Sequence, residues 1–567
     1  MAAPQEQPFV TMWIDEDEIE QVTFGEFIRQ ARLQAAQFHM HGVIPGDRII
    51  LILPQGIPLM SAFAGAMMLG AVPAILAYPN FKADPDKYAV GLSGVTHNLQ
   101  ARLVVIDNEF PSALSERITI ADGAQLVRAS AISAADAEPL SLPTVSLDPG
   151  GLAFIQHSAG TTGLQKGVAL SHQAVLTQLE HLARALKIGK QDRLYSWLPL
   201  YHDMGLIACF MLPLVYHLPI VMQSPLEWVI RPGTMLQLIS EFRCTLAWLP
   251  NFAFQLLARR VRSEDRVHYD LSSLRALIDC SEPVRAQSID EFVSAYRECK
   301  LAPETVKTSY AMAENVFAIT QSHVDDAPRR LWVKGPELWD NHRIVPIADE
   351  TDKAICFVSS GACIEANQVR VVDAHGADLP EDRVGEIMIL SDSLFGGYFN
   401  RPDLTDQVFE NGWYWSGDLG FIHNGELYVI GRKKDLIIVA GKNIYPQDIE
   451  EIVCSHPAIH DGRAVAFGLY NPDLGTEDIL VVAEVEKEDS LNDSVEIERA
   501  LRNAISAELD ITARAIYLKP PRWVVKSTAG KPARSTTREK LLAEHSELKR
   551  DALEGERLNE RTSPTAN

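Results

Sequence analysis

The sequence has little of what marks secreted, zinc-binding or nucleic-acid-binding proteins. Its 567 residues include seven cysteines, an odd number, and no Cys-x-x-Cys pair. This argues against a disulfide framework and a structural zinc site, so we expect a reducing, cytoplasmic location. Positive charge is also scarce, since 52 Lys and Arg face 75 Asp and Glu, for a net charge of -23. Such a surface repels phosphate backbones and anionic membranes, so we expect no nucleic-acid partner.

No leader and no clear membrane segment stand out. Met1–Pro8 has neither a basic patch nor an apolar stretch, so we expect no signal peptide. Leu59–Tyr78 is long enough to span a bilayer, but Gly65, Gly70 and Pro73 interrupt it. We therefore interpret it as a buried helix followed by a buried strand, and expect no stable membrane insertion.

The order of the hydrophobic patterns predicts an α/β fold with more than one domain. The chain of 567 residues is longer than one hydrophobic core usually serves. Helical spacing from Phe24 to Phe38, with Thr23 as the N-cap, precedes an apolar strand at residues 48–53. Strands and helices then alternate to about residue 320, which predicts parallel-rich sheets covered by helices.

The pattern changes in the second half of the chain. Short strands separated by turns predict a β-rich subdomain at residues 355–430. We assign residues 1–431 to a large N-terminal domain and residues 432–545 to a small, mobile α/β C-terminal lid domain. Residues 546–567 are polar and poor in large apolar groups, so we expect them to form a disordered tail.

The stretch 158–167, Ser-Ala-Gly-Thr-Thr-Gly-Leu-Gln-Lys-Gly, is the most informative part of the chain. Its glycines let backbone N–H groups converge on phosphate oxygens, and its hydroxyls and Lys166 add donors and a positive charge. It is not a Walker A motif, because Lys166 follows Gln165 and precedes Gly167. Taken alone, such a cluster fits a plain surface loop equally well.

Seven further segments accompany this loop. They are Leu198–Gly205, Ser281–Pro283, Ser309–Glu314, Ser416–Gly420, Gly431–Asp435, Gly441–Glu450 and Gly530-Lys531. In order and spacing the set resembles the adenylate-forming superfamily, which includes acyl-CoA synthetases, acyl-AMP ligases, luciferases and peptide-synthetase adenylation domains. Within it, the residues at 200–205, 281–285 and 443–450 look most like those of the fatty acyl-AMP ligases.

The resemblance implies a reaction, its cofactors and its partners. Such enzymes use ATP and Mg²⁺ to activate a fatty acid as acyl-AMP with release of pyrophosphate. They then transfer the acyl group to the thiol of a holo-acyl carrier protein. Lys166 follows the coenzyme A ligase pattern instead, so an acyl-CoA synthetase stays open, as does a non-catalytic adenylate-binding homologue.

The resemblance also assigns nucleotide-binding residues. It places the pyrophosphate at Ser158, Thr161, Thr162, Gly163 and Lys166, the adenine at Ser281, Glu282, Pro283 and Tyr310, and the ribose at Asp418 and Arg432. Simpler structural roles exist for several of them. Tyr310 beside small residues suits a hydrophobic core, and Asp418 in Ser-Gly-Asp suits an Asx turn.

Three residues receive roles in catalysis. Lys531 matches the lysine that bridges the substrate carboxylate and the α-phosphate, and Glu314 matches the glutamate that holds Mg²⁺. His202 resembles a residue that positions the acyl substrate. Without the resemblance, Lys531 would be interpreted as solvent-exposed, Glu314 as an acid at a helix N-terminus and His202 as a structural histidine.

The resemblance implies two orientations of the lid, with Lys434 at the hinge position. One orientation would present Lys531 for adenylation and the other the Gly441–Tyr445 loop for thioester formation. An acidic carrier protein would need a local basic patch on this acidic chain. The candidate patch consists of Lys519, Arg522, Lys526, Arg534, Arg538 and Lys540, for which a solvated face without a partner is the alternative.

Overall fold

The chain forms two compact units. The computed structural model describes residues 4–79, 85–129, 145–157, 166–348, 354–439, 442–471, 476–509, 511–526, 531–545 and 548. The first unit comprises Met1–Arg329, Val358–Val369 and Ile389–Tyr414, and the second comprises Arg330–Phe357, Arg370–Met388 and Trp415–Asn567. The predicted domain boundary at residue 431 follows the chain order instead, and it stays a prediction.

A nine-stranded sheet dominates the first unit. Its strands, in spatial order, are Ala362–Cys363, Ala318–Gln321, Val306–Ala311, Ala276–Cys280, Leu246–Leu249, Leu194–Ser196, Ile220–Gln223, Pro8–Trp13 and Ile19–Thr23. The central strands pair in parallel, whereas the pairs at both edges are antiparallel. The α/β prediction is confirmed, and the parallel core brings several strand ends to one edge of the sheet.

A second, wholly parallel sheet contains Val72–Ile75, Arg48–Ile52, Leu103–Ile106 and Gln125–Arg128. Thr23 caps the helix Phe24–Met40 through a capping box with Glu26, as the sequence pattern predicts. This helix packs so closely on the helix Ile57–Met68 that a Cβ at Gly65 would lie 2.5 Å from the carbonyl oxygen of Ala31. The apolar stretch that raised the membrane question is thus a buried helix followed by a buried strand.

The strand Leu152–His157 departs from the predicted alternation. It pairs antiparallel with Gly167–Ser171 and forms a hairpin with it. Residues 158–165 of the predicted phosphate loop lie between these two strands in the sequence and are outside the described residues.

The remaining helices of the first unit are short to medium in length. They are Pro85–Leu99, Ser112–Ser115, His172–Ala185, Leu212–Tyr216, Pro225–Ile230, Gly233–Phe242, Asn251–Arg260, Ser263–Arg266, Ala286–Tyr296 and Pro402–Asp406. Met204–Met211 is a π-helix, and Arg297–Cys299, Pro303–Thr305 and Ala313–Asn315 are 3₁₀ turns. No helix within the described ranges is long and apolar enough to cross a membrane.

The second unit contains a small α/β core. The sheet Ile459–Asn471, Thr476–Val485 and Ala513–Lys519 packs with the helices Pro446–Cys454, Ser494–Leu509 and Arg534–Glu544. The helix Gly335–Asn341, the 3₁₀ turns Lys433–Asp435 and Glu488–Asp493, and the strand pair Ile437–Val439 and Lys442–Ile444 also belong to this unit. The remaining described strands of the chain, of which Phe409–Glu410 belongs to the first unit, are Arg330–Lys334, Pro346–Ile347, Ala354–Val358, Asn367–Val372, Gly385–Ser391, Phe409–Glu410, Trp413–His423 and Glu426–Arg432. These short strands bear out the β-rich texture predicted for residues 355–430.

Candidate active site

The predicted phosphate loop is described only at its two ends. Ser158, Thr161, Thr162 and Gly163 lie outside the described residues, whereas His157 and Lys166 lie within them. Burial lowers the pKa of His157 to about 4, so its ring is neutral at physiological pH. Neither ring nitrogen of His157 has a hydrogen-bond partner among the described residues. Of these two residues, Lys166 therefore supplies the positive charge next to the predicted loop.

The segment Phe395–Phe399 lies along the strand that leaves this loop. The Phe399 amide donates to the carbonyl of Gly167 at 2.7 Å, and Ala169 exchanges backbone hydrogen bonds with Gly396 and Gly397, each of 3.1 Å. The ammonium nitrogen of Lys166 lies 4.6 Å from the centroid of the Tyr398 ring, within cation–π distance. The chain thus holds an aromatic face beside the loop lysine.

The same segment also holds Glu314. The amide of Phe395 donates to the Glu314 carbonyl at 2.8 Å, and the Tyr398 hydroxyl donates to its Oε1 at 2.9 Å. Glu314 lies in the three-residue turn Ala313–Asn315, which is too short to support the helix-dipole interpretation. Tyr398 therefore contacts both Lys166 and Glu314. Sequence reasoning missed it, because nothing in the neighbouring sequence indicates a contact with Glu314.

Burial also defines the surroundings of Glu314. The Tyr414 hydroxyl lies 3.5 Å from the Tyr398 hydroxyl. Burial, reinforced by the nearby Glu314 charge, raises the pKa of Tyr414 far above its usual value. The Tyr414 phenol can therefore act as a neutral hydrogen-bonding group beside this carboxylate.

The residues present fit a magnesium ion that is shared with a nucleotide. Glu314 Oε1 accepts the Tyr398 hydrogen bond, and no described residue donates to Oε2. Within the described ranges, no three His, Cys, Asp or Glu side chains form a metal-binding group. Mg²⁺ is typically held by one or two carboxylates, phosphate oxygens and water, so the single Glu314 carboxylate beside the predicted phosphate loop fits this ion.

The predicted adenine-binding residues come from the ends of neighbouring parallel strands. Cys280 aligns with Ser309, so Ser281 and Tyr310 follow at the same sheet edge. Tyr310 is buried, and Ser281 adopts a left-handed backbone with φ of 71°. The Glu282 carboxylate accepts a hydrogen bond from the Phe252 amide at 3.0 Å, at the start of the helix Asn251–Arg260. The carboxylate thereby anchors the segment Ser281–Pro283 to that helix.

His202 lies on a segment that contacts both neighbouring parts of this site. Its Nδ1 is 2.6 Å from Oδ1 of the buried Asp203. The Gln156 side chain donates to the Tyr201 carbonyl at 3.5 Å, and the Ser281 hydroxyl lies 3.9 Å from the Met204 sulfur. The segment thus joins the hairpin of the predicted phosphate loop to the predicted adenine-binding residues, and the His202 ring lies close to Asp203.

Three aromatic side chains of the first unit, Trp197, Trp228 and Phe252, form a packed cluster. Trp228 stacks on Trp197 with ring centroids 3.8 Å apart, and Phe252 meets both rings edge-on. Trp228, Trp248 and Phe254 are fully buried. Core packing accounts for these side chains.

In the second unit, the predicted ribose-binding pair is formed by two adjacent strands. Asp418 and Arg432 are aligned partners, and Arg432 Nε lies 3.2 Å from Asp418 Oδ1. Asp418 is buried while most of the Arg432 side chain is exposed. The Ser416 hydroxyl accepts a hydrogen bond from the Asp418 amide at 3.1 Å, which holds the backbone of this segment in place. The Asp418 carboxylate is thereby directed to Arg432.

Lys531 lies at the base of a loop in the second unit. Lys526 and Pro532 form a β-bridge, and the Ala533 amide donates to the Val525 carbonyl at 2.8 Å. Gly530 lies outside the described residues, as does Gly441 of the predicted thioester loop. The paired loop base fixes the backbone at Lys531.

Arg534 cannot serve in the predicted basic docking patch. Its guanidinium donates to Glu450 at 2.8 and 2.9 Å and to Asp435 at 2.5 Å. Although burial opposes it, the two carboxylates raise the pKa of Arg534, which holds its charge inside this unit. Lys519 and Lys540 lie over the Trp523 ring, and Lys519 also pairs with Glu544. Several of the side chains expected to form this patch therefore make contacts within the second unit.

Comparison with known proteins gives consistent matches. The family described as AMP-binding enzyme matches residues 2–399. The medium-chain-fatty-acid acyl-carrier-protein ligase JamA of Moorena producens is 29% identical, over 93% of this chain and 91% of that protein. The 4-hydroxyphenylalkanoate adenylyltransferase of Mycobacterium tuberculosis is also 29% identical, over 94% of this chain and 88% of that protein.

Solved structures resemble the chain over nearly its whole length. A chain from a study of fatty acyl-adenylate ligases from E. coli and L. pneumophila superposes with a TM-score of 0.87 at 28% identity, covering 95% of this chain and 96% of its own. The L. pneumophila fatty acyl-adenylate ligase in complex with acyl adenylate and pyrophosphate gives a TM-score of 0.70 at 27% identity, covering 94% and 93%. The similarity therefore extends beyond the family match to the C-terminal part of the chain.

Proposed function

This chain belongs to the AMP-binding enzyme family, and we propose that it is an ATP-dependent fatty acyl-AMP ligase that loads an acyl carrier protein. It would join a fatty acid carboxylate to the α-phosphate of ATP with release of pyrophosphate. The acyl group would then pass to the phosphopantetheine thiol of the carrier. The observation that carries this proposal is the contact of one tyrosine with both Lys166 and Glu314 beside the phosphate loop. The names of proteins that match nearly the whole chain support a fatty acid as the substrate and a carrier protein as the acceptor.

The first step brings together two negatively charged reactants. The protein must shield that charge and align a carboxylate oxygen with the α-phosphorus, so positioned cations and donors should dominate catalysis. Lys166 would contact the pyrophosphate, together with the predicted donors Ser158, Thr161, Thr162 and Gly163. When bound, Mg²⁺ would neutralise charge on the phosphate oxygens, and Glu314 would hold it through Oε2.

The nucleoside would be held by the residues of the strand ends. Tyr310 would stack on the adenine, with the backbone of Ser281–Pro283 on its other face, because the Glu282 carboxylate is already used on the Phe252 amide. Asp418 would accept hydrogen bonds from the ribose hydroxyls, which a carboxylate does better than a neutral group. Arg432 would orient Asp418 and contact the same sugar.

Lys531 is the proposed catalytic cation. Its ammonium would stabilise the charge that develops between the substrate carboxylate and the α-phosphate. His202 would position the acyl substrate, and its Nδ1 lies 2.6 Å from Oδ1 of Asp203. The two-orientation scheme with a hinge at Lys434 belongs to the same proposal.

Mass spectrometry of acyl-AMP and acyl-thioester products tests this function. The enzyme is incubated with ATP, Mg²⁺ and a panel of fatty and aryl acids, with holo-carrier protein or coenzyme A as the acceptor. We expect acyl-AMP without an acceptor and an acyl thioester on the carrier. Efficient transfer to coenzyme A would favour the acyl-CoA synthetase that Lys166 leaves open. Absence of acyl-AMP from every acid would refute the proposal.

Two lysines at the base of one loop provide a matched pair of variants. We expect Lys531→Ala to abolish acyl-AMP formation while ATP binding, measured by calorimetry, largely survives. Lys526→Ala removes the same type of charge across the same β-bridge and should leave acyl-AMP formation near the wild-type rate. Equal activity of the two variants would remove Lys531 from the mechanism.

A further inference from the structure

Tyr398 makes two different contacts with side chains that the proposed function uses. Its hydroxyl donates to Oε1 of Glu314 at 2.9 Å, and its ring lies 4.6 Å from the Lys166 ammonium. We propose that Tyr398 is a positioning residue that couples the orientation of the Glu314 carboxylate to the placement of the Lys166 ammonium. This inference rests on the proposed function, because it concerns how that site is held in shape.

The hydroxyl selects which carboxylate oxygen of Glu314 stays available. Tyr398 is 6% exposed, so its hydrogen bond forms where water competes little. With Oε1 fixed by this hydrogen bond, the Glu314 carboxylate cannot rotate freely, and Oε2 stays available to a ligand. Loss of the Tyr398 hydroxyl would leave the negative charge of Glu314 in place, but its carboxylate would be free to rotate.

The ring acts on the other partner. A lysine side chain has several rotatable bonds, so its ammonium loses much entropy when a phosphate fixes it. The negative face of the Tyr398 ring attracts the ammonium electrostatically and restricts it beforehand. A phenylalanine would preserve this contact and a leucine would not.

Backbone hydrogen bonds make the coupling rigid. Phe395 binds the Glu314 carbonyl and Phe399 binds the Gly167 carbonyl, so the segment is tied at both ends. Tyr398 lies between these ties, and a movement of the turn that carries Glu314 would therefore shift the ring beneath Lys166. The neutral Tyr414 hydroxyl, 3.5 Å away, adds no charge that would compete with Glu314 for the Tyr398 proton.

Two substitutions separate the two contacts. Tyr398→Phe removes only the hydroxyl, and we expect it to raise the Mg²⁺ concentration for half-maximal acyl-AMP formation about tenfold, the scale of a lost hydrogen bond to a charged group. Its KM for ATP at saturating Mg²⁺ should stay near the wild-type value. Tyr398→Leu removes both contacts and should also raise that KM. In a Glu314→Gln background, Tyr398→Phe should have no further effect on Mg²⁺ dependence.

A chemical measurement tests the ring contact without turnover. The rate of Lys166 acetylation by a small amine reagent, followed by peptide mass spectrometry without nucleotide, should change in Tyr398→Leu and not in Tyr398→Phe. Thermal unfolding of each variant establishes that it folds. Wild-type Mg²⁺ dependence in Tyr398→Phe, or equal labelling of Lys166 in all three proteins, would overturn the inference. An enzyme without acyl-AMP activity would refute the proposed function, and the labelling result would stand apart from it.

Discussion

Replacement of Arg534 by methionine should destabilise the second unit strongly. Arg534 forms three hydrogen bonds with Glu450 and one with Asp435, and 18–21% of each of the three side chains is exposed. Methionine fills similar space but leaves two carboxylates without their cation. Removing one partner of a buried pair costs roughly 3–5 kcal/mol, and the remaining exposure places this site at the lower end, about 3 kcal/mol.

Guanidinium unfolding, followed by circular dichroism and tryptophan fluorescence, measures this loss. Arg262 is the matched control, because it also pairs with two acids, Glu264 and Asp265, but on the exposed surface. Arg262→Met should shift the unfolding midpoint little, since exposed ion pairs contribute little to stability.

A compensating variant tests the physical cause. Adding Asp435→Asn and Glu450→Gln to Arg534→Met removes the uncompensated charges and should recover much of the stability. If Arg534→Met unfolds at the same denaturant concentration as Arg262→Met, the three-residue network contributes nothing, and the reasoning fails. If the triple variant is less stable than Arg534→Met, charge imbalance is not the cause.

Two further predictions concern the first unit. The folded-state pKa of His157 lies near 4, below the unfolded value of about 6.5, so protonation favours unfolding as the pH falls between these values. Lowering the pH from 7 to 5 should therefore cost about 2 kcal/mol through this residue, and His157→Phe should reduce the acid sensitivity measured in urea titrations at both pH values. An unchanged pH dependence would show that His157 is not buried as a neutral ring. Gly65→Ala should lower the free energy of unfolding by about 1–3 kcal/mol through overpacking, because its Cβ would lie 2.5 Å from the Ala31 carbonyl oxygen. Gly91→Ala has open space around its Cβ and should be neutral or stabilising. Thermal unfolding of the two variants measures the difference.

Local signals in the sequence were enough for much of the fold. Thr23 and Glu26 are three residues apart, so their capping box is visible in the sequence and is present in the structure. The buried helix and strand after residue 57 follow from apolar runs broken by glycine and proline. The antiparallel pairing of the strands Leu152–His157 and Gly167–Ser171 could not be predicted, because an apolar run in the sequence does not indicate whether the strand beside it is parallel or antiparallel.

Long-range partners explain what sequence reasoning missed. Tyr398 meets Glu314 across 84 residues, and nothing near a tyrosine announces such a contact. Arg534 looked like a surface charge because its partners Glu450 and Asp435 are 84 and 99 residues away. The roles assigned to Lys531, Asp418 and the loop residues stay predictions, since they depend on a bound nucleotide.

The backbone ties between the segment 395–399, the strand Gly167–Ser171 and the Glu314 turn bear on protein engineering. A chimera that exchanges only the glycine-rich hairpin for that of a coenzyme A ligase would replace one side of a three-part assembly. Its new side chains would meet a tyrosine and a turn selected for the original hairpin. A swap that transplants all three stretches together should preserve turnover better than any exchange of the hairpin alone.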